Sequence, residues 1–436
     1  MGKKALLLLL TLVYFLLCGC APAPAETPAN SSDATLHTQE THLAENTQSS
    51  EEFTTTQKTQ QTEFVVDPLR AWTPNCEEFI YLWESAQGGN ALTEIPLGDT
   101  LQLEKWYGRY AAVTYKGIAG YVSANYIKPA ADDYFSGKLS VIAPTCRYTY
   151  QQMLTDMDKL QMRYPQLVRL ESIGTSEEGR RIPVMQVGNP NAQFQVLIQG
   201  AMHGREHFTA WLAMAVADCA LLNNAVCDAV CYHIIPMSNP DGVCISQSGA
   251  LGDAQTAIYR EDLALGYTSA APAAYARQWK ANALGVDLNR NFSAGWEESL
   301  EREQPSSEKH RGDTPFCAAE SRALRDYTLK YTFDATVSLH SHGSVIYYQY
   351  GSKQPVNKLS YSFAQTISQF TGYIPTAYDN TTGAGYKDWA MEELGIPSLT
   401  LEIGSYTTPL EQRDIYNTFD RCKDLLSAIY KWLSQQ

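Results

Sequence analysis

The sequence predicts an α/β fold, a mixed and mostly parallel sheet flanked by helices, preceded by a small all-β barrel. Three observations carry this. From Tyr148 onward, helical patterns alternate with β-branched runs such as Val196-Leu197-Ile198-Gln199, as in α/β units. Between residues 66 and 130, short β-like runs follow one another at close spacing, the habit of small barrels. Finally, 436 residues exceed what one ordinary core organises, so more than one domain is expected.

The composition, 44% hydrophobic and 18% charged, is that of a folded soluble protein. A formal net charge of -14 and the lack of a basic stripe exclude nucleic acid as the expected partner. Residues 1–20 read as a targeting segment. Lys3 and Lys4 form a positive start, and Ala5 to Leu17 is an apolar run too short for a comfortable membrane span. It ends Leu17-Cys18-Gly19-Cys20, which resembles a bacterial lipoprotein lipobox with Cys20 as the lipidated residue. An ordinary cleaved signal peptide is the alternative. Either way the chain is expected to be exported, and the lipobox reading anchors it to the bacterial membrane as a cell-surface or periplasmic lipoprotein.

Ten cysteines are present, eight without Cys18 and Cys20. An even number in an exported protein permits disulfides, and no Cys-x-x-Cys pair suggests a zinc ribbon or redox dithiol. Residues 21–65 are rich in Thr, Gln, Ser and Glu, so they are expected to form a disordered tether. His37 and His42 stand isolated in it, which argues against a metal site there.

Residues 66–130 hold Phe79 to Trp83, Leu101 to Leu103, Ala111 to Tyr115, a Lys116-Gly117 turn, and Ile118 to Val122. With Ile95-Pro96-Leu97-Gly98-Asp99 before a strand, Trp106, and Gly120-Tyr121-Val122 ahead of Tyr126-Ile127, the region resembles a bacterial SH3-like domain. That resemblance implies binding to the cell wall, whereas taken singly most of the aromatics read as core.

A connector over 131–147 leads to residues 148–436. There we expect a helix from Tyr148 to Arg163, strands at Leu167–Leu170 and Ile182–Val187, the Val196 strand, a helix from Thr209 to Leu222, and a strand from Val230 to Pro236. Open sheets of this kind bind ligands beyond the carboxyl ends of their strands. His203-x-x-Glu206-His207 lies at such an end and has two zinc readings. On a helix, His203 and His207 would be ligands and Glu206 the base. Gly200 and Gly204 after a β-branched strand oppose a helix. On a loop, His203 and Glu206 are the ligands, and a third ligand and a base must come from elsewhere. Ala335 to Gly343 is a second strand ending in histidines, which offers His340. Ser398 to Gly404 places Glu402 inside an apolar strand, where a carboxylate is costly unless paired or functional, and offers the base.

These residues, with Asn239-Pro240-Asp241-Gly242, Gly285-Val286-Asp287-Leu288-Asn289-Arg290-Asn291-Phe292 and Asp388-Trp389, make residues 148–436 similar to the zinc carboxypeptidases of the carboxypeptidase A type. The resemblance implies one zinc ion held by His203, Glu206 and His340, and Glu402 as general base. It implies Arg205, Asn289 and Arg290 as substrate-binding residues, and Asp287 as the acid that hydrogen-bonds a ligating histidine. Lys280 stands after Trp279 where the digestive members have an arginine that stabilises the oxyanion; lysine keeps the charge and loses the fork. For the tyrosine that caps the substrate, Tyr378 is preferred over Tyr386.

Lys387, before Asp388-Trp389, falls by the same resemblance at the floor of the specificity pocket. A cation there favours a substrate carboxylate, such as the distal one of diaminopimelate; a solvent-exposed lysine is the alternative. With Glu402-Ile403-Gly404, the domain is most similar to the bacterial γ-D-glutamyl-diaminopimelate peptidases of that family. The expected function is hydrolysis of peptidoglycan stem peptides. The alternatives are a carboxypeptidase acting on ordinary peptides and a non-catalytic wall-binding lipoprotein.

Overall fold

The computed structural model describes residues 71–436 except 75, 77, 108, 130–133, 378–382, 405–407 and 411–413. The targeting segment, Cys20 and the tether lie outside them. Seven strands, β1 (Ala71–Pro74), β2 (Phe79–Ser85), β3 (Gly88–Pro96), β4 (Leu101–Tyr107), β5 (Tyr110–Tyr115), β6 (Ile118–Ser123) and β7 (Ile127–Pro129), form one antiparallel sheet in the order β3-β2-β6-β5-β4-β1-β7. Alternation decides which side is core. In β2, Ile80 and Leu82 are buried while Tyr81 between them is exposed. The Lys116-Gly117 turn has positive φ at both residues, 47° and 82°, the geometry that matches the twist of a two-residue hairpin.

The second sheet holds β8 (Val168–Thr175), β9 (Arg181–Gly188), β10 (Phe194–Gln199), β11 (Val230–Ile235), β12 (Ala335–Ser341), β13 (Val345–Tyr347), β14 (Ile374–Thr376) and β15 (Ser398–Ile403), in the order β14-β13-β15-β12-β10-β11-β9-β8. The four central strands, β15, β12, β10 and β11, are mutually parallel; β9 and β13 join antiparallel at either side. Strands covered on both faces read as unbroken apolar runs, which explains Val196-Leu197-Ile198. Val196 and Ile198 enter one core with Trp211 and Phe419, and Leu197 enters the other with Leu324 and Trp389. The helix Phe208–Leu222 is buried at every position except its last, so its sequence lacks the polar face of a surface helix.

The expected helix at Tyr148 begins at Tyr150, with the Thr149 hydroxyl accepting from the Gln152 amide at 3.1 Å. The expected connector differs more. Tyr134, Phe135 and Ile142 are buried in the main core, and the buried Asp218 carboxylate accepts the amides of Ser140, Val141 and Ile142 at 2.8, 2.8 and 3.0 Å. Bonds to a charged acceptor contribute about 1.5–3 kcal/mol each, so Asp218 fixes this segment onto the α/β domain. Trp72 of β1 meets Tyr416, with ring centroids 6.5 Å apart. No disulfide joins the eight cysteines of the described residues. Among the described residues, no helix is long and apolar enough to cross a membrane.

On β11, His233 sits between Tyr327 Oη and Gln195 Oε1, each 2.7 Å from a ring nitrogen. Burial, with Lys330 adding to it, lowers the ring from 6.5 to about 4. Because the folded value is depressed, the contribution to stability is fully present above 6.5 and is lost as pH falls from 6.5 through about 4. The slope is about 1.4 kcal/mol per pH unit. Urea midpoints at pH 7 and pH 5 should therefore fall further for the wild type than for His233→Asn; equal falls would refute the assignment.

Candidate zinc site and active-site cleft

Three adjacent parallel strands deliver the site at their carboxyl ends. After β10 the chain passes through Gly200 and Ala201 to His203, whose backbone is extended (φ -97°, ψ 131°), and then makes a single 3-10 turn at Gly204–Glu206. An extended His203 rules out the helical arrangement in which His203 and His207 ligate together. His207 instead starts the following helix, with Nδ1 2.9 Å from the Cys146 carbonyl. Burial lowers its ring to about 4.

The turn is held from beneath. A Cβ on Gly204 would lie 2.3 Å from the Gly242 carbonyl oxygen, so bare backbone packs against bare backbone. Asn239 Nδ2 donates to the carbonyls of Met202, Lys280 and Ala281 at 3.1, 3.2 and 2.9 Å. Asp241 accepts from Ser176 Oγ and the Glu178 amide at 2.7 and 2.8 Å. The Asn-Pro-Asp-Gly motif is thus a brace that ties the ligand loop to the loop carrying Lys280.

His203, Glu206 and His340 are buried, and their ligand atoms all lie within 4.8 Å of one another. His203 Nδ1 is 2.8 Å from Glu206 Oε1, His340 Nδ1 is 3.0 Å from Glu206 Oε2, and the two Nδ1 atoms are 3.2 Å apart. Asp287 Oδ1 lies 3.1 Å from His203 Nε2, and its carboxylate also accepts the amides of Asn289 and Lys309. A carboxylate at Nε2 fixes the tautomer with the proton there and leaves Nδ1 as a lone-pair donor. His203 Nδ1, His340 Nδ1 and the Glu206 carboxylate, converging on one point, suit a single zinc ion. Burial alone would raise the carboxyls of Glu206 and Asp287. Their histidine neighbours outweigh it, with Lys280 and Arg290 assisting at Asp287, and hold both well below the usual range. Asp287→Ala should weaken zinc binding about 10- to 100-fold, read by chelator competition; unchanged affinity would remove Asp287 from the site.

Glu402 comes from β15, where it pairs with His340 across the ladder. Burial, with Glu206 beside it, pushes its carboxyl up to about 7 against the pull of His340, Lys280 and Arg205. Such a group can take up and release a proton near neutrality.

One cleft of about 440 Å³ brings these residues together with Arg205, Lys280, Asn289, Arg290 and Lys387. Arg205 Nη1 donates to Gln278 Oε1 at 3.3 Å, whereas its buried Nε has no partner among the described residues. Arg290 is held by Glu301 at 3.2 Å and by the Asn289 carbonyl at 3.0 Å. No hydrogen bond or ion pair among the described residues engages the Lys280 ammonium, which lines the cleft. Lys387 differs from the bare cation expected. Its Nζ is 2.5 Å from Asp388 Oδ1 and 2.9 Å from the Gln349 carbonyl.

Tyr378 lies outside the described residues. Tyr386 is fully buried, bonded to Thr328 Oγ1 at 3.0 Å and packed on Phe292 and Trp389, so it is core. Sequence reasoning passed over Thr400, His342, Tyr347 and Gln349, which also line the cleft. For Thr400 a signal existed: it lies two residues before Glu402 in an apolar strand, hence on the same face.

A buried His-Glu-His triad, a carboxylic acid poised near neutrality and an open cleft define a zinc-dependent hydrolase. The sequence profile of the zinc carboxypeptidases matches residues 153–421, and the chain belongs to that family. Its relatives include a γ-D-glutamyl-L-diamino acid endopeptidase of Lysinibacillus sphaericus, 30% identical over 60% of this chain and 67% of the relative. Carboxypeptidase B of Astacus astacus is 25% identical over 63% and 92%. The fold is similar to that of bovine thrombin-activatable fibrinolysis inhibitor, with TM-score 0.52 and 20% identity over 66% and 98% of the two chains.

Proposed function

We propose that this protein is an exported, lipid-anchored peptidase that cleaves the γ-D-glutamyl-diamino acid bond of peptidoglycan stem peptides. The likeness to the L. sphaericus endopeptidase carries this reading. A cleft lined by Arg205, Lys280 and Arg290, in a chain of formal net charge -14, supports it, because stem peptides are rich in carboxylates and local cations draw them in. The SH3-like domain is assigned to the cell wall, and Cys20 to the lipid anchor.

His203, Glu206 and His340 would hold the zinc ion, which when bound would acidify a water and polarise the scissile carbonyl. Glu402 takes a proton from the attacking water and delivers it to the leaving amine. Lys280, whose ammonium lines the cleft and is engaged by no described residue, stabilises the oxyanion charge. Arg205 Nε, Asn289 and Arg290 orient a substrate carboxylate.

Mass spectrometry of defined stem peptides, beside ordinary peptides with free and blocked C-termini, tests the proposal. Cleavage after γ-D-glutamate is the expected result. Release of C-terminal residues from ordinary peptides alone would favour the carboxypeptidase reading that the likeness to carboxypeptidase B suggests.

A further inference from the structure

We infer that a second pocket, beside the zinc cleft, binds a saccharide. It lies between the loop that follows β13 and the helix Val356–Thr371, and its volume is about 690 Å³. Gln349 lines both this pocket and the cleft, so the two share a wall. None of the zinc ligands lines it, and neither does any residue that the family resemblance assigns.

The floor of the pocket is aromatic. Tyr348 and Tyr361 meet with ring centroids 4.9 Å apart and planes at 48°, an open angle instead of a flush stack. Tyr361 remains 43% exposed. Around the rings stand Gln349, Ser352, Gln354 and Lys358. Their side chains and both tyrosine hydroxyls make no hydrogen bond to any described residue, so each can exchange water for a ligand atom. Asn357 does the opposite. Its Oδ1 accepts the Tyr350 amide at 3.1 Å, and its Nδ2 donates to the carbonyls of Tyr350 and Gly351 at 3.0 and 3.1 Å. The loop is thereby held before any ligand arrives, which lowers the cost of binding.

The lining selects the ligand. No described lining residue carries a carboxylate, so a cation finds no partner, and Lys358 as the single ionic group is too little for a polyanion. An apolar ligand would cover the two glutamine amides and leave them unpaired, at a cost. A pyranose meets each demand. Its C–H face packs on an aromatic ring, its hydroxyl or acetamido groups match amides that both donate and accept, and Lys358 donates to a ring-borne oxygen. The peptidase reading above names the source, the glycan of the polymer whose stem peptides enter the cleft; the site itself does not depend on that reading.

Saturation-transfer NMR on the zinc-loaded full chain tests the site, with the β-1,4-linked tetramer of N-acetylglucosamine as one probe and citrate as another. The tetramer should bind with a millimolar Kd and receive saturation at its C–H protons. Tyr361→Ala, checked by circular dichroism, should weaken binding at least about tenfold, and Gln354→Ala about threefold to tenfold. Failure of the tetramer to bind, or binding of citrate alone, overturns the inference. So does binding that is lost in Tyr126→Ala, an exposed position of the SH3-like domain, and kept in Tyr361→Ala. Binding that depends on Tyr361 in a protein that cuts no γ-D-glutamyl peptide would fell the peptidase reading and leave this site standing.

Discussion

Glu402→Gln should lower turnover by about 10²- to 10⁴-fold, the usual contribution of a positioned general base, while the protein still binds one zinc. The amide matches the carboxylate in shape but cannot accept the proton, and it leaves His203, Glu206 and His340 untouched. The burial that raises Glu402 to about 7 also makes the substitution structurally mild, since a neutral amide is easier to bury than a charge. Metal analysis and peptide hydrolysis on the same sample separate the two effects. A fully active variant would move the base elsewhere; a zinc-free one would place Glu402 among the determinants of binding.

Gly204→Ala should disable the site from behind. The added Cβ would meet the Gly242 carbonyl oxygen at 2.3 Å and its carbon at 2.4 Å. Both are backbone atoms braced by Asn239 and cannot swing aside. The turn must retreat, and Glu206 moves with it. Overpacking of this kind costs about 1–3 kcal/mol, and zinc affinity should fall by at least about tenfold, as when a supporting group is lost. Thermal unfolding with and without chelator measures both. A variant with wild-type zinc affinity would show that the two loops are not coupled.

The sequence made the central sheet legible because strands buried on both faces leave unbroken apolar runs, and the zinc ligands legible because each follows such a run. Between Pro236 and Ala335 no helix or strand was predicted, and Asn239, Lys280, Asp287 and Arg290 were reached only through the family resemblance. Loop residues there are placed by long-range contacts, such as Asp287 on His203 and Asn239 on Lys280, and periodicity cannot report those. Tyr386 shows the complementary failure: beside a recognisable motif it could be core or cap, and only its place against Phe292 and Trp389 decides. Lys387 was found as a cation, but its pairing with Asp388 depends on where a helix aims two consecutive side chains.

The pairing of His340 with Glu402 across β12 and β15 makes the reaction a matter of counting. Side chains on a strand alternate, so deleting one residue early in β15 would bring Ile403 into the cleft and turn Glu402 toward the opposite core. The ligands would remain on their own strands, and such a chain would bind metal yet be chemically silent. Point substitution can weaken the base by degrees; a change of length replaces it outright.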